Sequence, residues 1–239
     1  MTVKNSRVVV LGGTSGIGLA TAQAVAEAGA SVVVASSRQS SVDRALSVLP
    51  PGAEGLVLDV GDSAALRDFF TAVGPFDHLV YTAGENLALM RLEDYDIHAA
   101  RTFFDLRFFS ALEAAHLAVP HLNAGGSITF TSGSAAFRPG AGWMLGAAVS
   151  ATAIAVTKAL AIELAPIRVN AIAPGVVRSP LWDSMSIQDQ MAMYAGLAAS
   201  LPLGRVAEVT DVAKSFVYVM DQDYTTGTVT VIDGGSVLV

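Results

Sequence analysis

Cysteine is absent from this 239-residue chain. That excludes disulfides and thiolate zinc sites and leaves the compartment open. Charge is scarce as well: 15% of residues are Asp, Glu, Lys or Arg, with a net charge of −7. An acidic surface disfavours nucleic acid and anionic lipid as partners. No metal constellation is visible, because His116 and His121 lack carboxylates at ligand spacing. The most apolar long stretch, Met144 to Ile162, is interrupted by Ser150, Thr152, Thr157 and Lys158. It reads as too polar for a membrane span of ~20 apolar residues. Met1 leads through Lys4 and Asn5 into a strand pattern without a secretory leader, so the expected compartment is the cytoplasm.

What is present is apolar. Hydrophobic residues make up 52% of the chain, and the mean hydropathy is +0.53. Length and composition fit one α/β domain, residues 1–239, with a large core. Small residues on every face of the Ala-rich segments point to helices packed against other helices, and so to an oligomer.

Apolar runs alternate with amphipathic stretches. Strands are expected at Arg7–Leu11, Ser31–Ala35, Glu54–Leu58, Asp77–Tyr81, Ser127–Thr131, Ile167–Ile172 and Thr228–Ile232. Helices are expected at Ile17–Ala28, Ser41–Val48, Ser63–Val73 (capped by Asp62), Asp96–Leu122 and Met144–Leu164. Strands that are apolar on both faces, alternating with helices, imply a Rossmann-type doubly wound parallel sheet of about seven strands. Ser179 to Leu203 breaks the alternation and reads as a lid-like substrate segment over the carboxyl ends of the strands.

Gly12, Gly16 and Gly18 lie between the first strand and the first helix. Glycines there permit a tight turn and close approach of backbone to a pyrophosphate, which then faces the unpaired N–H groups of the helix. Asp59, with Val60 after it, is placed to accept from an adenine amino group, or to serve as a turn residue. The second strand runs into Ser36, Ser37 and Arg38, where an enzyme using NAD usually has an acid for the ribose hydroxyl. Hydroxyls and an Arg suit a 2′-phosphate instead, so NADP(H) is preferred over NAD(H); the alternative is a solvated Arg38.

These motifs resemble the short-chain dehydrogenase/reductase family along nearly the whole chain. Gly12 to Gly18 matches its glycine pattern, Thr82-Ala83-Gly84 keeps the Ala-Gly half of its second motif, and Arg168-Val169-Asn170 to Pro174-Gly175 is similar to its sixth-strand motif. Asp233-Gly234-Gly235 resembles its final turn. The resemblance implies that Thr14, Ser15, Ile17, Ala83, Gly84, Ser150, Pro174, Gly175 and Val177 join the cofactor site. It also implies a homodimer or homotetramer formed through the helices 96–122 and 144–164.

In that family a Tyr passes the proton, a Lys one turn later holds the ribose and lowers the Tyr pKa, a Ser polarises the substrate oxygen, and an Asn supports a relay. Counting back from Lys158 and Arg168 places Gly146 at the Tyr position and Ser150 at the Lys position. Gly133 falls at the Ser position, between Ser132 and Ser134, and Asp105 at the Asn position. Ser132, Ser134 and Asp105 are therefore the candidate catalytic residues; the serines could equally be turn hydroxyls, and Asp105 with its neighbour Arg107 could be a proton-handling pair or structural polar groups satisfied locally or at a subunit contact. His98 and Tyr194 are further candidates for acid–base work. Trp143, Met144, Leu181, Trp182, Met185, Met191 and Met193 suggest either a small apolar substrate or core packing. The expected activity is an NADP(H)-binding oxidoreductase acting on an apolar carbonyl or alcohol through a non-standard site. The alternatives are a non-redox enzyme (cyclase, isomerase or dehydratase) on the same scaffold and a non-catalytic NADP-binding sensor subunit.

Overall fold

The computed structural model describes residues 3–87 and 89–239; Met1 and Thr2, where the leader reading begins, lie outside them. The elements run β1 (Arg7–Leu11), α1 (Gly16–Glu27), β2 (Ser31–Ser36), α2 (Gln39–Leu46), β3 (Glu54–Val57), α3 (Ser63–Val73) and β4 (Phe76–Tyr81). They continue with α4 (Ile97–Phe104), α5 (Ser110–Ala118), β5 (Leu122–Thr131), α6 (Met144–Glu163), β6 (Arg168–Pro174), β7 (Val177–Arg178), α7 (Ile187–Ser200), β8 (Ala207–Glu208), α8 (Val209–Asp221) and β9 (Val229–Ile232). Seven strands form one sheet in the order β3-β2-β1-β4-β5-β6-β9, and all of its pairings are parallel. A crevice opens where the strand order reverses between β1 and β4, and ligands of doubly wound sheets sit at that point.

Each face of the sheet carries its own core. Phe69, Phe70, Phe76, Leu79, Ile128 and Val169 pack beneath α3 and α5. Val8, Val10, Val34, Ile172, Phe216 and Met220 pack beneath α1 and α8. The central strands β4 and β6 are buried along their whole length, and Asp77, His78, Arg168 and Asn170 are buried within them among apolar residues.

Several boundaries differ from the sequence reading. The helix expected over 96–122 is interrupted by a π turn at Asp105–Phe109. The strand expected from Ser127 begins at Leu122, which pairs with Phe76 before the register shifts. No element was expected between Leu203 and Thr228, yet α8 fills that gap. It starts at a capping box between Glu208 and Asp211 and buries Val212, Ala213, Phe216, Val219 and Met220, the spacing of one helix face. α6 has a mean hydropathy of 1.7 and is long and apolar enough, by length and composition alone, to cross a membrane. It nonetheless packs along β6 and β5 as a crossover helix.

His78 lies fully buried on β4, with its Nδ1 2.9 Å from Ser127 Oγ. Burial, then the charge of Arg168, pushes its pKa down to about 4, against smaller opposing effects of Asp77 and Asp221. Between that value and the 6.5 of the unfolded chain, the unfolded state binds more protons. Stability is therefore complete above the window and falls as pH drops through it, by about 3 kcal/mol in all. His78→Asn should flatten that decline when urea unfolding is compared across the window. An equally steep acid loss in the variant would place its origin elsewhere.

Candidate active site

One cleft of about 1480 Å³ runs across the carboxyl ends of the strands, from Arg38 and Arg44 at one end to Trp143 and Leu201 at the other. Its first half is built by the turn after β1. Gly12 and Gly16 have φ of +81° and +52°, which a side chain would resist. A Cβ on Gly12 would stand 2.6 Å from the Ala83 amide nitrogen, so the β1 and β4 turns are in direct backbone contact. The N-cap of α1, Ser15, makes no side-chain cap bond and the first turn holds no acid. The amide groups there remain free to face phosphate. Thr82 Oγ1 donates to Leu11 O at 3.0 Å and ties the two turns together.

At the adenine end, Ser36, Ser37, Arg38 and Ser41 line the cleft together with Arg44. Arg44, in the last turn of α2, was not anticipated. Among the described residues neither guanidinium has an ion-pair partner. Asp59 and Val60 line the same end; Asp59 Oδ1 accepts from the Gly61 amide at 2.9 Å. A free helix N-terminus, a side-chain-free backbone cradle and two unpaired cations fit a phosphorylated dinucleotide.

The second half is a chamber walled by Leu87, Phe103, Trp143, Leu181 and Trp182. Trp182 meets Trp143 edge to face at 6.1 Å and donates its indole N–H to Val177 O. The segment from Ser179 to Leu203 supplies Leu181, Trp182, Leu197 and Leu201 to the cleft, and Leu87 N donates to Leu181 O across it. Gly146 borders the chamber, and a Cβ there would meet nothing nearer than Trp143 Cε3 at 3.5 Å.

Most of the residues singled out in the sequence converge on this cleft, including Thr14, Ser15, Ile17, Gly18, Gly84, Pro174, Gly175 and Val177. Ser132, Ser134 and Ser150 are brought together at the end of β5. Ser132 Oγ donates to Ser150 O at 2.9 Å, so its proton is engaged. The Ser134 side chain makes no hydrogen bond among the described residues and faces the cleft. A Cβ on Gly133 would lie 2.9 Å from Ser150 Oγ, so a side chain there would have to turn that hydroxyl away.

Other candidates are placed elsewhere. Asp105 is exposed and outside the cleft, because the π turn redirects the helix at that point. His98 is exposed. Tyr194 is buried under Arg178, whose guanidinium lies 4.4 Å from the ring centre, and does not line the cleft. Met144 packs with Phe103 and Leu145, Met185 and Met193 pack beside Trp182, and Met191 is exposed.

The π turn presents Arg107 instead. Its Nη2 donates to Glu85 O, its carbon centre lies 4.6 Å over the Phe103 ring, and its buried Nε has no partner. Burial lowers its pKa, and the Glu85 carboxylate opposes that shift. Glu85 Oε2 is also buried without a partner. Both residues line the cleft beside Gly84 and Ser132. Tyr81 lines it too, but its phenol donates to Leu106 O at 2.6 Å, and burial pushes its pKa up.

The SDR-like Rossmann domain family model matches residues 1–239. A short-chain dehydrogenase/reductase of an Acremonium species, ucsE, is 38% identical over 97% of this chain and 95% of its own. A small-chain dehydrogenase solved in complex with NADPH is 34% identical, with a TM-score of 0.87 over 99% of this chain and 100% of its own. An NADPH-bound short-chain oxidoreductase from Pseudomonas aeruginosa PAO1, described as containing an atypical catalytic centre, is 30% identical, with a TM-score of 0.89 over 96% of both chains.

Proposed function

The chain belongs to the short-chain dehydrogenase/reductase family, and we propose that it is an NADP(H)-dependent member acting on an apolar carbonyl or alcohol. One observation carries this reading: the glycine cradle and the unpaired Arg38 and Arg44 open into the same cleft as an aromatic chamber. The NADPH complexes of its relatives support the choice of cofactor. Bound NADPH supplies hydride to the substrate carbon. The chain's own residues do the rest. The first turn of α1 and the Gly12–Gly18 turn hold the pyrophosphate. Asp59 takes the adenine amino group. Ser36, Ser37, Arg38 and Arg44 hold the 2′-phosphate. Ala83, Gly84, Ser150, Pro174, Gly175 and Val177 bracket the nicotinamide end. The segment 179–203 acts as a lid that excludes water and supplies Leu181 and Trp182 to the substrate.

The proton route differs from that of family members with a Tyr and Lys pair, because Gly146 and Ser150 carry neither group. Ser134 is the available hydroxyl, and Arg107 is the fixed charge. Titration with NADPH and NADH, read by nicotinamide fluorescence and Trp quenching, tests the cofactor reading. Tight NADPH and weak NADH binding is the expected result; binding of neither overturns it. Cofactor oxidation with carbonyl compounds then tests redox chemistry. Turnover at constant cofactor absorbance would favour a cyclase, isomerase or dehydratase on this scaffold.

A homodimer or homotetramer through α4, α5 and α6 accompanies this reading, in a cytoplasmic protein. Ala148, Ala151, Ala155, Ala159 and Ile162 form one exposed stripe along α6. Small side chains allow helices to approach closely, and Ile162 is 82% exposed. Ala155→Arg should shift the protein to monomer in light scattering, whereas an unchanged mass would remove α6 from the interface.

A further inference from the structure

We propose that the chamber takes conjugated carbonyls, flat α,β-unsaturated ketones, and that Arg107 is the catalytic residue holding the enolate oxygen formed when hydride adds. This rests on the dinucleotide reading above and deepens it.

The argument starts from where protons are available. The Tyr81 phenol is committed to Leu106 O and the Ser132 hydroxyl to Ser150 O. The Ser134 hydroxyl can donate a hydrogen bond but is too weak an acid to replace a phenol. Addition of hydride to an isolated ketone creates an alkoxide, a base comparable with hydroxide. That oxygen needs a proton at once. An enolate is a weaker base, closer to a phenolate with its pKa of about 10. A fixed positive charge can hold it without giving up a proton.

Arg107 has the properties such a charge requires. It projects from the π turn into the cleft, stays charged, and is anchored by Glu85 O and the Phe103 ring. Its unpartnered Nε and its loss of hydration leave the charge incompletely compensated. The aromatic lining of Trp143 and Trp182, with the opening at Gly146, suits a flat conjugated ring. Glu85 lies beside the guanidinium and weakens its hold on an anion.

In the step, the β carbon of the enone gains a C–H bond from the hydride. The C=C pair moves to form a new double bond between the α carbon and the carbonyl carbon. The carbonyl π pair moves onto oxygen, opposite Arg107. The two electrons come with the hydride from the dihydronicotinamide ring, which is oxidised as the enone is reduced. The oxygen pair then re-forms the carbonyl, the C=C pair takes a proton from water at the α carbon, and hydroxide leaves to solvent, giving the saturated ketone.

The test uses 4-nitrophenol, whose phenolate absorbs at longer wavelength than its neutral form and mimics the enolate. With NADP+ bound, the protein should display the phenolate spectrum at a pH below the compound's midpoint in water. Arg107→Met should abolish that shift, Arg107→Lys should retain part of it, and Glu85→Gln should strengthen it. With NADPH and 2-cyclohexenone, the product should be cyclohexanone. Arg107→Met should lower kcat/KM about 100-fold while NADPH affinity changes by less than about threefold. Normal NADPH binding without a phenolate shift overturns the proposal, as does an allylic alcohol product. Failure to bind NADPH, read separately by nicotinamide fluorescence, overturns the dinucleotide reading and this proposal with it.

Discussion

Gly18→Ala should abolish measurable NADPH binding and destabilise the fold. The new Cβ would overlap the Gly12 carbonyl oxygen and Thr82 Oγ1, and lie 2.9 Å from the Gly12 carbonyl carbon. Two of these atoms are backbone and the third is pinned by its bond to Leu11 O. None can give way as a flexible side chain would, so the β1 turn must move away from β4. Overpacking of this kind costs about 1–3 kcal/mol. The functional loss should be larger, because the displaced turn is the one proposed to hold the pyrophosphate. NADPH affinity is expected to fall by at least about 100-fold, or about 2.7 kcal/mol. Gly196→Ala is the control. It also replaces a helical glycine, but no atom lies within 4 Å of the new Cβ. Helix propensity alone should then make it stabilising by about 1 kcal/mol. Thermal melting and NADPH titration of the two variants separate crowding from helix preference. Equal behaviour would show that Gly18 is not held by contact.

The glycine turn was legible because backbone geometry leaves few alternatives there. Gly12 and Gly16 occupy positive φ, and Gly18 has no room for a side chain. Arg168 and Asn170 were legible as a motif but not as a mechanism. Arg168 donates to the carbonyls of Val219, Met220 and Gln222 at the end of α8. Asn170 bonds Thr225 O and the Thr228 amide and so sets the approach to β9. Those partners lie more than fifty residues away in sequence, beyond any local pattern. Arg107 was legible only as the partner of Asp105 in a candidate pair, and the structure separates the two, leaving Arg107 at the cleft and Asp105 exposed. A regular 3.6-residue period was assumed through the helix, and the π turn changes which side chains face the sheet. Its carbonyls are taken by Tyr81 and Ser110, at Leu106 O and Asp105 O. The apolar cluster around Trp182 was legible as a group. Its division into cleft lining and lid core depends on packing that composition does not encode.

The double variant Arg38→Ala/Arg44→Ala should remove most of the expected preference for NADPH over NADH. Arg38 caps the start of α2 and Arg44 lies in its last turn, so both reach the cleft edge just beyond β2. Both are exposed, and that sets the scale. A charge-assisted hydrogen bond is worth roughly 1.5–3 kcal/mol when shielded, and water and salt reduce it at an open edge. Each single change should therefore cost about tenfold in NADPH affinity and the pair about 100-fold, or about 2.7 kcal/mol. NADH lacks the 2′-phosphate, so its affinity should move by less than about threefold. Added salt should weaken NADPH binding in the wild type more than in the double variant, because the lost contacts are the screened ones. Ser37 and Ser41 would remain as neutral donors and keep a residual preference. An equal loss for both dinucleotides would assign the two arginines to α2 stability. An unchanged NADPH affinity would leave them as solvated charges and move the preference to the hydroxyls.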